Sequence, residues 1–298
     1  MLGLGTGFYG LGKTGYQEGV TVSDRYHANY LVVPAFGTYE GSGSDFGYGI
    51  SGLVLPETFE STIKTSFTYC AWVAVAGQNA AKNVTLLGSG GGTHTGGDNN
   101  DIFRIYIGND KKLAIEFDLG DEVLFQQKSS SAIAINGFAH IAVTITDVGG
   151  SNPTTAAAYV NGSAITLATA TETMTGTEHD GFETINQLGV GCVVMNADPY
   201  PGASAEYVNQ SHIAYAGVAL FDEALDAANI DAIYGLGFDH NSPPVCPDLT
   251  SGSGHYNKQA ALIGYWPCAD GSGGVSHTAT DESTNSNDGS TAGAAVLV

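Results

Sequence analysis

Short runs in which apolar and polar residues alternate recur along the chain, separated by breaks rich in glycine, serine and asparagine, and they predict strands. The clearest pair runs from Phe138 to Val160. Ile141, Val143 and Ile145 alternate with Ala142, Thr144 and Thr146, a period of two that sends one set into a core and the other to the opposite face. After the break DVGGSNP, Ala156, Ala158 and Val160 alternate with Ala157 and Tyr159. Asn161-Gly162 follows, a dipeptide suited to the positive φ angles of a two-residue type I′ turn, so another hairpin starts there.

The run FTYCAWVAVAG from Phe67 places Phe67, Tyr69, Ala71 and Val73 on one face and Cys70 and Trp72 on the other. Both faces are apolar, which predicts a central strand. FRIYIG and KKLAIEFDLG read as a hairpin around Asn109-Asp110, with Leu113, Ile115, Phe117 and Leu119 pointing inward and Glu116 and Asp118 on a solvated face. Thr85 to Gly88, SAITLATA, INQLGVGCVV and HIAYAGVALF add further strands, and Asn29 to Pro34 and Gly49 to Pro56 add two in the Gly- and Tyr-rich opening. One short helix is predicted, capped by Asp222, with Leu225, Ile230, Ile233 and Tyr234 at helical spacing and Gly235 and Gly237 ending it. The expected organisation is an N-terminal arm over 1–60, an all-β unit over 61–240 and a C-terminal tail over 241–298.

Composition narrows the class. Charged residues are 13% of the chain and glycine is abundant at 42 residues, as in a β-protein. The formal net charge of −21 opposes nucleic-acid backbones and anionic membranes, and no apolar run approaches the roughly 20 residues of a spanning helix, so a soluble protein without membrane insertion is predicted. The opening MLGLGTGFYGLG has no cationic or continuous apolar region of a secretory signal, which predicts synthesis without export. Cys70, Cys192, Cys246 and Cys268 lack zinc spacing. Cys70 and Cys192 read as buried thiols; Cys246 and Cys268 flank a glycine-rich loop and are the pair open to bridging, although a chain kept in a reducing compartment holds them as thiols.

Three segments carry a family resemblance. FTYCAWVAVAG resembles the opening strand, GFAHIAVTITD with AAAYVNGSAI the central hairpin, and AYAGVALFDEALDAANIDAIY the closing strand and helix of laminin-G-like, concanavalin A-like jelly rolls. The resemblance covers about residues 66–237 and implies a two-sheet antiparallel jelly-roll sandwich with extended N- and C-terminal arms and one short helix. A fourth segment, LIGYWPCADGSG with TDESTNSNDGS, resembles one that precedes the jelly roll in many members, yet here it follows it. That order implies that residues 255–298 either add a strand to the same sandwich or reach onto a neighbour. The trailing order and the Gly-Leu opening are similar to structural proteins of marine tailed phages.

Candidate chemistry is sparse. EFDLGDE, with Glu116, Asp118, Asp121 and Glu122, invites comparison with the E-x-D-x-x-E signature of laminarinase-type glycosidases, but Asp121 stands where glutamate is wanted and Gly120 interrupts the strand. Asp98, Asn99, Asn100 and Asp101, and in the tail Asp281, Asn285, Asn287 and Asp288, are oxygen-rich turn segments of the sort that bind Ca²⁺; the resemblance favours the tail. Tyr200, Tyr207 and Trp266 are candidate sugar-stacking platforms. His140 sits where the resemblance implies a hydrogen-bonded structural histidine. No nucleophilic triad is evident. The sequence therefore favours a non-enzymatic phage virion protein, of head-decoration, spike or fibre type, whose arms dock on other subunits of an oligomer and whose jelly roll binds host-surface glycans. A carbohydrate-binding lectin module acting outside a cell is the alternative, and a laminarinase-type glycosidase the third reading.

Overall fold

The computed structural model describes residues 31–33, 52–56, 66–76, 83–91, 101–119, 122–135, 137–146, 154–168, 188–192, 194–195, 198–199, 212–237, 246–252, 256–268, 274–275, 278–292 and 295–297. In chain order the strands are β1 (Leu31–Val33), β2 (Gly52–Val54), β3 (Phe67–Ala76), β4 (Val84–Gly91), β5 (Asp101–Ile107), β6 (Leu113–Leu119), β7 (Glu122–Lys128), β8 (Phe138–Thr146), β9 (Thr155–Val160), β10 (Ser163–Ile165), β11 (Gly189–Val190), β12 (Val194–Met195), β13 (Asp198–Pro199) and β14 (His212–Phe221). After helix α1 (Ala227–Gly237) come β15 (Leu262–Trp266), β16 (Gly274–Val275), β17 (Thr278–Ala279), β18 (Gly289–Ala292) and β19 (Val296–Leu297).

They build two sheets. The first runs β10-β9-β8-β3-β14-β1-β19-β16, with β15 also on β14; the second runs β17-β18-β2-β11-β4-β5-β6-β7, with β12 and β13 beside β4. Among the described residues, apart from the parallel contact of β12 with β4, every pairing is antiparallel. The inward residues of β3, β8 and β14 meet those of β4, β5 and β6 in one apolar core that includes Tyr69, Val73, Ile141, Val143, Tyr215, Leu87, Phe103 and Phe117. As the apolar faces of β3 predict, it is central, between β8 and β14. Strand β7 was not legible in the sequence.

The two chain ends are woven together. In the first sheet β1 lies between β14 and β19, and in the second β2 lies between β18 and β11. Each sheet thus seats a strand from the first sixty residues beside one from the last sixty, and the described strands of both expected arms belong to the sandwich itself, which extends beyond 61–240. The exposed backbone edges of such short strands are satisfied by each other. Strand β14 makes this possible: one edge pairs with β3, while the other carries β1 on its first half (Leu31↔Tyr215) and β15 on its second (Val218↔Trp266). The register breaks between Ala216 and Ala219, where Gly217 has φ +57, a left-handed angle that a side chain disfavours. The displaced LIGYW segment is therefore a strand of its own chain's sandwich.

The outer face of the first sheet is covered by α1. Ile230 and Ile233, with Leu225 before the helix, pack on Cys70, Ala142, Ala219 and Phe221, and the small alanines let the helix approach closely. The helix cap is Asp226 rather than Asp222: its Oδ1 accepts the Asn229 backbone N–H at 2.8 Å and side-chain amide at 2.9 Å, and these bonds hold its carboxyl below the usual range. Asp222 is exposed, four residues before that cap. At the Asn161-Gly162 turn both residues have positive φ, 50° and 74°, as the dipeptide predicts.

Candidate functional site

Alternation in the β5–β6 hairpin sends Phe103, Ile105, Ile115 and Phe117 into the core and leaves Arg104, Tyr106, Ala114 and Glu116 on the outer face of the second sheet. The register sets Arg104 directly opposite Glu116, and Glu116 in turn opposite Gln126 of β7. Gly88 of β4 faces Arg104 from the other side and offers it no side chain. Four donors converge on the carboxylate. Arg104 Nε donates to Oε1 at 2.8 Å and Nη2 approaches the same oxygen at 2.5 Å; the Tyr106 hydroxyl donates to Oε2 at 2.9 Å, and the Gln126 amide donates there too. The guanidinium carbon also lies 4.3 Å from the centre of the Tyr106 ring. Burial, reinforced by the Glu116 charge, pushes the Tyr106 hydroxyl well up, so it stays a donor.

This corrects the expectation of a solvated face. Arg104, Tyr106 and Glu116 are 5%, 2% and 3% exposed, and the carboxylate is buried because its counter-charge sits opposite it across the ladder. The alternation of FRIYI carried the signal: counted back through the Asn109-Asp110 turn, it puts Arg104 and Tyr106 on the Glu116 side. Retaining glycoside hydrolysis requires a carboxylate free to attack the sugar, with a second about 5 to 5.5 Å away. Glu116 has both oxygens engaged. Asp121 lies outside the described residues, as do the side chains of Asp118 and Glu122.

In the tail, Asp281 is 6% exposed and braces a turn. Its Oδ1 accepts the backbone N–H of Tyr265 and of Ser283, both at 2.8 Å; its Oδ2 accepts the Ser283 hydroxyl and the Asn287 N–H, both at 2.7 Å. Asp288 Oδ1 accepts the Asp281 N–H at 2.9 Å. Asn285 and Asn287 turn their amide nitrogens to the carbonyls of Leu262 and Ile263. The four candidate ligands thus sit together, but as a clasp on β15 in which the carboxylate lone pairs of Asp281 already face N–H and O–H donors. Among the described residues no group of three or more His, Cys, Asp or Glu side chains has metal-binding geometry. Asp98, Asn99 and Asn100 lie outside the described residues, as does the Asp101 side chain.

Of the stacking candidates, Trp266 is a core residue. It is 0% exposed, points between the sheets, and its indole N–H donates to the Asn287 carbonyl at 2.9 Å. An aromatic on β15 next to the chain's central strand is driven inward by its own ring area. Tyr200 and Tyr207 lie outside the described residues.

His140 lies on the outer face of the first sheet, 1% exposed, with ring centroids 5.2 Å from Trp72 and 6.1 Å from Tyr234 of α1. Its backbone N–H bonds the Asn161 side chain, but neither ring nitrogen meets a hydrogen-bond partner among the described residues, unlike the bonded histidine that the resemblance implies. Burial pulls its pKa down to about 3. All four cysteines are thiols; burial pushes Cys70 and Cys192 up to about 12, as inert buried thiols require.

No curated protein matches this sequence. Among solved structures, the CBM40 of the Ruminococcus gnavus IT-sialidase, bound to α2,3-sialyllactose, is similar at 15% identity over 62% of this chain and 94% of that one, with a TM-score of 0.43. A SAP-like pentraxin from Limulus polyphemus is similar at 15% identity over 70% of this chain and 82% of that one, with a TM-score of 0.41. A family model spans residues 49–231, from just before β2 into α1, and by that match, with the two-sheet sandwich, the chain belongs to the concanavalin A-like lectin/glucanases superfamily.

Proposed function

We propose that this chain is a carbohydrate-binding module without catalytic activity, acting outside a cell or on the surface of a particle. One observation carries the choice between the two activities the superfamily is named for: the carboxylate that a glucanase would use from the acidic strand, Glu116, is locked by Arg104, Tyr106 and Gln126. A glycan then rests on the outer face of the second sheet. Gln126 and Lys128, half-buried on β7, are the polar groups at its margin; Tyr200 and Tyr207, which lie outside the described residues, are the aromatic residues to vary.

A virion role rests on the trailing motif order, the Gly-Leu opening and arms that dock on neighbouring subunits. The described strands of both ends pair within one chain, which takes those strands out of the docking argument; display of the module on a particle is compatible with glycan binding. The test is a glycan array followed by calorimetry on the purified chain, with Lys128→Ala, Tyr200→Ala and Tyr207→Ala beside it. Binding that weakens in these variants, without release of reducing sugar, is the expected result. Hydrolysis of any bound glycan, or no binding at millimolar glycan by a protein abundant in purified virions, overturns the reading.

A further inference from the structure

Cys246 and Cys268 belong to neither sheet face that the proposed function uses, yet the fold brings them together. The half-buried Cys246 thiol donates to the Pro267 carbonyl at 3.1 Å, and the Tyr265 hydroxyl donates to the Pro247 carbonyl at 2.5 Å. The run that begins at Cys246 is thus pinned beside the end of β15. Because a carbonyl oxygen lies close to the next residue's Cα across a trans peptide, the Cys246 sulfur comes within about 6 Å of the Cys268 Cα. A disulfide needs the two Cα atoms within about 7 Å and their Cβ atoms facing each other, so closure requires the Cys268 side chain to turn toward Cys246.

The backbone at Cys268 is the second observation. Its φ is +61, a left-handed angle uncommon outside glycine. It turns the side chain inward, where the thiol is 1% exposed, lies in the core cluster and donates to the Trp266 carbonyl at 3.4 Å. Cys246 packs instead against the outer cluster beneath α1. Rotation about the Cys268 N–Cα bond back to the extended region carries Cβ to the other side of the peptide and relieves the left-handed strain.

We propose that Cys246 and Cys268 form a redox clasp, a reversible disulfide made by exchange with a low-molecular-weight disulfide, which fastens the segment after Cys246 to the end of β15. The more accessible Cys246 attacks as thiolate a sulfur of the oxidant, expelling one small thiolate and leaving a mixed disulfide. The Cys268 thiolate then attacks the Cys246 sulfur and expels the second. Two protein thiols are oxidised, one small disulfide is reduced to two thiols, and the two protons pass to the departing thiolates. Burial raises the Cys246 thiol to about 11, so the exchange quickens with alkaline pH.

The folded full-length chain is incubated with oxidised glutathione at mildly alkaline pH, quenched in acid, alkylated with iodoacetamide in denaturant and digested with trypsin and with a protease that cleaves before aspartate, which parts Cys192 from Cys246. Cleavage after Lys258, which lies between the two cysteines, would part them unless they are bonded. Expected are the Cys246 and Cys268 peptides joined to each other, alkylated Cys70 and Cys192, and separation of the pair by dithiothreitol. The oxidised protein melts higher than the reduced one, by a few degrees, and Cys246→Ser shows no such rise. Alkylated Cys246 and Cys268, a stable glutathione adduct on either, pairing with Cys70 or Cys192, or a joined pair with no change in melting overturns the clasp.

Discussion

The hydroxyl of Tyr215, on the central β14 of the first sheet, donates a 2.7 Å hydrogen bond to the carbonyl oxygen of Thr85 in the second. The β4–β5 register slips between Thr85 and Leu87, and this bulge turns the Thr85 carbonyl toward the core. A polar bond thereby crosses an otherwise apolar interior, and burial pushes the phenol far above its usual range so that it stays a donor. Tyr215→Phe removes the donor from a buried carbonyl and is expected to lower the unfolding free energy by about 1 to 3 kcal/mol, read from urea denaturation at unchanged m-value.

The Arg104–Glu116 pair predicts a different pattern. Glu116→Gln takes the counter-charge from a buried guanidinium and should destabilise by about 3 to 5 kcal/mol, whereas the double variant Arg104→Met with Glu116→Leu should recover most of that loss because no charge stays buried. A double-mutant cycle measured by urea unfolding checks it. Additive losses in the double variant would show that the two side chains do not act as a pair.

The sandwich was legible because its strands alternate strictly: β3, β8, β9 and β14 lie where the period of two predicts, and Asn161-Gly162 forms the expected turn. What pairing does to a face is legible only when two strands are read together through their turn. Glu116 reads as solvated by its own strand's alternation, and becomes buried only because Arg104 arrives from the next strand. The same holds for the ends. Three-residue strands such as β1 and β2 carry too little periodicity to reveal their partners, which come from the far end of the chain. Strand β7 was missed because VLF breaks the alternation, as the register shift opposite it records. Asp222 and Asp226 both precede the helix, and only the Asn229 backbone bond distinguishes the cap.

The Asp281 turn gives a third prediction. Its carboxylate receives four donors, three of them backbone N–H groups, from Tyr265 on β15 and from Ser283 and Asn287 in the turn, so it holds the last strands onto β15. Hydrogen bonds to a charged acceptor contribute about 1.5 to 3 kcal/mol each, non-additively, and Asp281→Ala should therefore destabilise by roughly 3 kcal/mol or more. Ca²⁺ would have to displace these N–H donors to reach the carboxylate. Millimolar Ca²⁺ is expected to leave the wild-type melting midpoint unchanged, and a midpoint that rises with Ca²⁺ concentration would instead assign the ion to this turn.

His140 sets the fourth, through pH. Its folded pKa, pulled down by burial to about 3, lies below the roughly 6.5 of an unfolded histidine, so between those values the unfolded chain binds the proton that the folded chain refuses. The stability that His140 contributes is fully present above about pH 6.5 and is lost as pH falls toward 3, at a slope approaching about 1.4 kcal/mol per pH unit. Carboxylates titrate over part of the same range, so the informative quantity is a difference. His140→Phe keeps an aromatic ring between Trp72 and Tyr234 and removes the titration. Urea unfolding of both proteins from pH 7.5 to pH 4, in steps of about half a unit, should show their stabilities diverging in favour of the variant as pH falls. Parallel curves would mean that the imidazole finds a proton partner in the folded state.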